Sequence, residues 1–138
     1  MTTYCFDTDV LSAVLRRDPP MHLIRRLART PAAEQATTTI TMGELLYGAA
    51  KKGSPKLVDR VRDLLAGAVT ILPFDQPSAE AYGSLRAELE ASGRPLAEPD
   101  LRIAAIATAY DLTLVTGNVR HFRRVPNLPV EDWLAPRS

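Results

Sequence analysis

Apolar positions along this chain switch repeatedly between short unbroken runs and helical spacing. Tyr4-Cys5-Phe6 is a brief β-type run closed by Asp7, and Val10 to Leu15 then repeats at the period of a helix. Asp18-Pro19-Pro20 breaks that helix, after which Leu23, Ile24 and Leu27, with arginines between them, predict a second one. The threonine-rich stretch Ala36 to Ile40 predicts a second strand. Thr41-Met42-Gly43-Glu44 has the spacing of a capping box and predicts a helix through Leu45, Leu46, Ala49 and Ala50.

The same alternation continues. Gly53-Ser54-Pro55 predicts a turn into a helix whose apolar face is Leu57, Val61, Leu64 and Leu65. Val69 to Leu72 predicts a third strand, closed by Pro73-Phe74-Asp75, and Ser78 to Ala91 a long helix ended by Ser92-Gly93. After a loop from Arg94 to Pro99, Asp100 is expected to open an alanine-rich helix containing Ile103, Ala104, Ile106 and Ala107. Leu112 to Val115 predicts a fourth strand, Gly117-Asn118 a turn, the region of Val130 a last short strand, and Ala135 to Ser138 a frayed tail. Strands alternating with helices imply crossover connections. The expected fold class is therefore α/β, a three-layer αβα sandwich around a central, mostly parallel sheet of four to five strands.

Composition narrows the class. With 138 residues, 46% of them hydrophobic, the chain is expected to form one domain over 1–138 with a substantial core. It contains no apolar run of about 18 residues, and its first residues lack the basic-then-apolar layout of a secretory signal, so the expectation is a cytoplasmic protein without a membrane span. Cys5 is the only cysteine, which excludes an internal disulfide and a cysteine-based zinc site and predicts a buried, reduced thiol. A net charge of +1 does not by itself mark a nucleic-acid binder. Local groups matter more: Arg16 and Arg17, Arg25, Arg26 and Arg29, Lys51 and Lys52, and Arg120, Arg123 and Arg124 are clustered in the manner of phosphate contacts.

Candidate chemistry lies where strands hand over to helices. In a parallel sheet that edge collects ligands at the point where strand order reverses. Asp7 closes the first strand, Glu44 follows the second, Asp100 precedes the fourth, and Thr116 and Asn118 follow it, so all are expected on one edge. Singly, Asp7, Glu44 and Asp100 are good helix-start residues, and Asn118 is a common turn residue. Together, crowded carboxylates repel unless a cation balances them. Oxygen donors favour Mg2+ or Mn2+ over Zn2+, and such an ion acidifies its water and offsets charge on a phosphate under attack. Thr116 is expected to orient that water through its hydroxyl, and His121 to be an RNA or surface contact rather than a ligand. Tyr47, Phe122 and Trp133 are expected to pack rather than stack on bases.

At these residues the chain resembles the PIN-domain ribonuclease toxins of the VapBC (type II) toxin–antitoxin class. The likeness runs through Phe6-Asp7-Thr8-Asp9-Val10, Thr39 to Gly48, Pro99 to Ala104, and Leu114 to Phe122 with Val125-Pro126 and Glu131-Asp132-Trp133. It implies a metal-dependent endoribonuclease acting on structured RNA such as tRNA or rRNA. Asp7, Glu44 and Asp100 would be its core metal ligands and Asn118 would complete the site. It further implies a homodimer and a small cognate antitoxin (VapB-like) whose C-terminal segment fills the active-site groove. Two positions depart from the pattern: Asp9 stands where asparagine is common, and Asn118 where aspartate is common. The first adds negative charge near the metal and the second removes one.

Two other readings compete. Asp7-Thr8-Asp9 after an apolar strand also resembles the opening of aspartate-nucleophile phosphatases, with Thr116 binding phosphate, although no lysine and later acidic pair complete that pattern. A non-catalytic RNA-binding or dimerisation module would keep the carboxylates only as helix caps.

Overall fold

The structure, a computed structural model, describes residues 2–67 and 69–136. Its strands are β1 (Tyr4–Phe6), β2 (Gln35–Thr38), β3 (Thr70–Leu72), β4 (Thr113–Val115) and β5 (Val130–Glu131). They form one sheet in the order β3-β2-β1-β4-β5, with every pairing parallel. The helices are α1 (Thr8–Val14), α2 (Met21–Arg29), α3 (Thr39–Lys51), α4 (Pro55–Leu65), α5 (Gln76–Ala91), α6 (Glu98–Ala109) and α7 (Val119–Phe122). The predicted αβα sandwich is present, at the upper end of the expected strand number.

Alternation along the strands divides the core in two. Cys5 and Leu114 face a cluster with Leu85 and Leu89 of α5, Leu101 and Ala104 of α6, and Phe122 of α7. Their neighbours Phe6 and Val115 face the opposite cluster, with Val10 of α1, Leu23 of α2, Leu45 of α3 and Val61 of α4. This is what a period of two along a strand requires when helices cover both faces. The buried Cys5 thiol is pushed up to about 12, first by burial and then by the Asp7 charge, so it stays a protonated, inert apolar group at neutral pH.

Helix boundaries differ from the sequence expectation in ways that move site residues. The second strand ends at Thr38 rather than Ile40, because the Thr38 hydroxyl accepts the Thr41 N–H at 3.0 Å and starts α3 at Thr39. Glu44 therefore lies in the second turn of α3, not at its start, and is no partner in a capping box. Asp100 does not open its helix either. The N-cap position of α6 is Ala97, which has no side chain for capping, and Pro99 and Asp100 follow in the first turn. Tyr47 was expected to pack but is 66% exposed, because Leu45 and Ala49 on either side of it take the inward face of α3. Of the expected frayed tail, Arg137 and Ser138 lie outside the described residues, while the Ala135 N–H is tied to Asp132 Oδ1 at 3.1 Å.

Strand order creates the site. From β1 the chain steps through β2 to β3 on one side, then crosses to β4 on the other, so the reversal falls between β1 and β4. The Asp7 N–H, just past β1, donates to Val115 O at the end of β4 at 2.9 Å. Asp7 and Thr116 thus leave the sheet side by side at its carboxyl edge, where crevices form in such folds.

Candidate active site at the carboxyl edge of the sheet

Asp7 is the centre of the arrangement. It caps α1, with Oδ1 accepting the Thr8 N–H at 2.8 Å, and its Oδ2 accepts the Thr116 hydroxyl at 2.8 Å. The side chain is nearly buried, at 6% exposure. Burial, followed by the Asp9 charge and to a lesser extent that of Asp100, pushes its carboxyl up to about 7, against the opposing hydrogen bonds from Thr116 and Thr8. The cap and the buried charge are therefore two roles of one residue.

Thr116 does not have the task expected of it. Its hydroxyl is fully buried, donates to Asp7 and accepts the Asn118 N–H at 3.0 Å, so it holds the carboxylate rather than orienting a water. Glu44 reaches the same edge through Thr8, whose hydroxyl donates to Glu44 Oε1 at 2.6 Å. Sequence reasoning missed this use of Thr8; the signal was its place one residue after the strand-closing Asp7. Asn118 stands at the N-cap position of α7, but its exposed side chain makes no capping bond.

Asp9 completes the acidic group. Its Oδ2 accepts the Gly117 N–H at 2.9 Å, while Oδ1 is buried and without a partner among the described residues. Burial, first, and the Asp132 charge also raise its carboxyl above the ordinary value. Gly117 is the residue that this contact demands. A Cβ there would sit 2.7 Å from Leu134 Cδ1 and 2.8 Å from Asp9 Oδ2. Gly117→Ala is expected to destabilise the fold by about 1–3 kcal/mol through that overlap, read as a lower midpoint in urea. An unchanged midpoint would show that the turn relaxes freely.

Asp100 lies within charge range of Asp7 and is bound by His121 Nε2 at 3.0 Å from its Oδ2. His121, expected as an RNA or surface contact rather than a ligand, thus sits beside Asp100 at the site. Beside Thr8 and Glu44 opens a cavity of about 450 Å³ that extends past Leu15 and Leu45 to Arg16 and Lys52.

Asp9 and Asp100 lie within charge range of Asp7 at this edge and Glu44 reaches it through Thr8, but they do not form a closed cage. Among the described residues no three acidic, histidine or cysteine side chains enclose a metal position. The donor set nevertheless fits a hard cation. All the carboxylate donors are oxygens, Asp7 carries a charge destabilised by burial and by like charges, and Asp9 has an orphaned oxygen. Mg2+ needs only one or two carboxylates, because it keeps several waters and takes phosphate oxygens from its substrate.

A doubly covered parallel sheet with carboxylates gathered near its reversal point defines an α/β protein with an acidic site at the carboxyl edge of the sheet. The PIN domain family matches residues 4–128. Ribonuclease VapC2 of Haemophilus influenzae is 34% identical over 134 residues, spanning 97% of this chain and all of its own. The tRNA(fMet)-specific endonuclease VapC of Shigella flexneri is 31% identical over 133 residues, spanning 96% of this chain and 99% of its own. Among solved structures, a chain of the Rickettsia felis VapBC2 complex bound to promoter DNA superposes with a TM-score of 0.86 at 30% identity, covering 96% of this chain and 99% of that one. The chain belongs to the PIN-domain family, among the VapC ribonucleases.

Proposed function

We propose that this protein is the toxin of a type II toxin–antitoxin pair, an endoribonuclease that hydrolyses phosphodiester bonds in a structured RNA such as tRNA or rRNA. The observation that carries this reading is the gathering of Asp7, Asp9 and Asp100 at the sheet reversal with no lysine or arginine paired to them among the described residues, in a chain related over nearly its whole length to VapC ribonucleases. Asp7, Glu44 and Asp100 would hold Mg2+ or Mn2+, and the exposed Asn118 amide would complete the set. When bound there, such an ion would supply charge stabilisation to the phosphodiester and acidity to a water. Thr116 keeps Asp7 in place, Thr8 holds Glu44, and Arg16 and Lys52 receive flanking phosphates along the neighbouring cavity.

A small antitoxin of the VapB type is the protein partner, matching the VapBC complexes formed by similar chains. The active form is a homodimer working in the cytoplasm; no helix among the described residues is long and apolar enough to cross a membrane. The phosphatase reading lacks the lysine and the later acidic pair that its pattern needs, and the relatives that match along the chain are ribonucleases.

Purified protein incubated with total RNA and Mg2+ or Mn2+, beside EDTA and Asp100→Asn controls, tests the proposal by mapping new RNA ends. Discrete cuts are expected, with Asp100→Asn slowing them by more than about 100-fold, beyond the loss typical of groups that only support a ligand. Intact RNA in every lane, or equal cleavage by the variant, would overturn the reading.

A further inference from the structure

The segment following β4 supplies hydrogen-bond donors to three of the acidic residues at once. Thr116 gives its hydroxyl to Asp7, Gly117 its N–H to Asp9, and His121 its ring nitrogen to Asp100. Glu44 receives the equivalent service from Thr8. Asp100 differs from Asp7 in having a single support: among the described residues the His121 bond is the only hydrogen bond to its carboxylate. A charged carboxylate accepts, so the shared proton sits on Nε2, and the bond occupies Oδ2 while leaving Oδ1 free.

His121 is itself held in place. Its neighbour Phe122 is fully buried in the core beneath α6, and the two rings pack edge to face with centroids 5.7 Å apart. The turn before them is closed by Asn118 N–H to Thr116 Oγ1 at 3.0 Å and by Phe122 N–H to Asn118 O at 3.3 Å. The imidazole is therefore delivered by a short helix anchored in the core. An ordinary surface ion pair, by contrast, holds two mobile chains and contributes little.

We propose that His121 is the positioning residue for Asp100: its Nε2–H fixes one carboxylate oxygen so that the other is presented to the divalent cation. This rests on the metal reading given above. Groups that hold a ligating carboxylate in this way set its orientation and basicity, and their loss typically weakens metal binding by about 10–100-fold. His121 acts through Asp100 rather than on the ion.

The test is Mn2+ binding to the full chain, measured by calorimetry, with wild type, His121→Ala and His121→Gln compared after thermal melts confirm folding. His121→Ala is expected to weaken Mn2+ by about 10-fold or more. His121→Gln, whose terminal amide returns an N–H near the Nε2 position, is expected to recover most of the affinity. Pulsed EPR of the Mn2+-loaded wild type should show no directly bound nitrogen. Unchanged affinity in His121→Ala, a loss in His121→Gln as large as that in His121→Ala, or a nitrogen ligand in the EPR would each overturn the positioning role while leaving the metal reading intact. Failure of the wild type to bind Mn2+ would overturn both.

Discussion

Asp7→Asn is expected to raise the melting temperature of the metal-free protein at pH 8 and to abolish RNA cleavage in the same molecule. The carboxyl is pushed up to about 7 from an ordinary value of 3.8, chiefly by burial. The folded state therefore binds the Asp7 proton more tightly than the unfolded chain does. Below pH 4 both states are protonated and ionisation costs nothing. As pH rises from about 4 to about 7, the unfolded chain ionises first and stability is lost; above that window the full cost is present, on the order of 4 kcal/mol. Asparagine is never charged, so it escapes this cost. It keeps an oxygen for the Thr8 N–H and turns its amide toward Thr116 Oγ1, with some loss from rearranging that bond.

A net gain of about 1–2 kcal/mol corresponds to a rise of roughly 3–8 °C at pH 8, shrinking toward zero as the pH is lowered to 4. Mn2+ should close the gap from the other side, stabilising wild type at pH 8 but not the variant. Differential scanning fluorimetry in EDTA and in Mn2+ across this pH range reads all of these effects. A variant that melts lower than wild type at pH 8 in EDTA would show that the Asp7 charge is not destabilising.

That trade between stability and function explains which parts of the site could be read from the sequence. Asp7 was legible because a carboxylate closing an apolar strand and opening a helix has only one place to go in a parallel sheet. Thr116 was also legible as a residue of the edge, but not in its role: whether a hydroxyl faces water or a carboxylate depends on burial, which follows from the β1–β4 pairing and not from local pattern. Glu44 and Asp100 were placed on the correct helices yet one turn or a fraction of a turn out. Thr38 outcompeted Thr41 as the cap of α3, and α6 begins at Glu98 with no capping side chain at all. The bond from His121 to Asp100 was not legible because the two lie 21 positions apart in sequence. Tyr47 failed for the opposite reason, since hydrophobic composition alone does not say which face of α3 meets the core.

Trp133→Ala should have the largest effect on stability, about 3–5 kcal/mol, a large share of what a domain of this size possesses. The indole is 2% exposed and packs against Tyr4 at 4.9 Å and Phe6 at 5.3 Å between ring centroids, with the Arg26 guanidinium 4.2 Å over its face. Its Nε1–H donates to Glu131 Oε1 at 3.0 Å, and Arg26 donates to the same oxygen at 2.8 Å. These contacts pin β5, a strand of two residues at the edge of the sheet, paired with β4. The Thr116 N–H donates to Glu131 O at 3.0 Å, so loosening β5 also loosens the residue that holds Asp7. Trp133→Phe keeps most of the ring packing and gives up the N–H bond, at a cost of about 1 kcal/mol. Urea melts of both variants should therefore separate them by several-fold in destabilisation, and hydrogen exchange should show the Thr116 amide exposed early in the alanine variant and protected in the phenylalanine one. Equal, small losses in both would mean that the β4–β5 pairing stands without the indole.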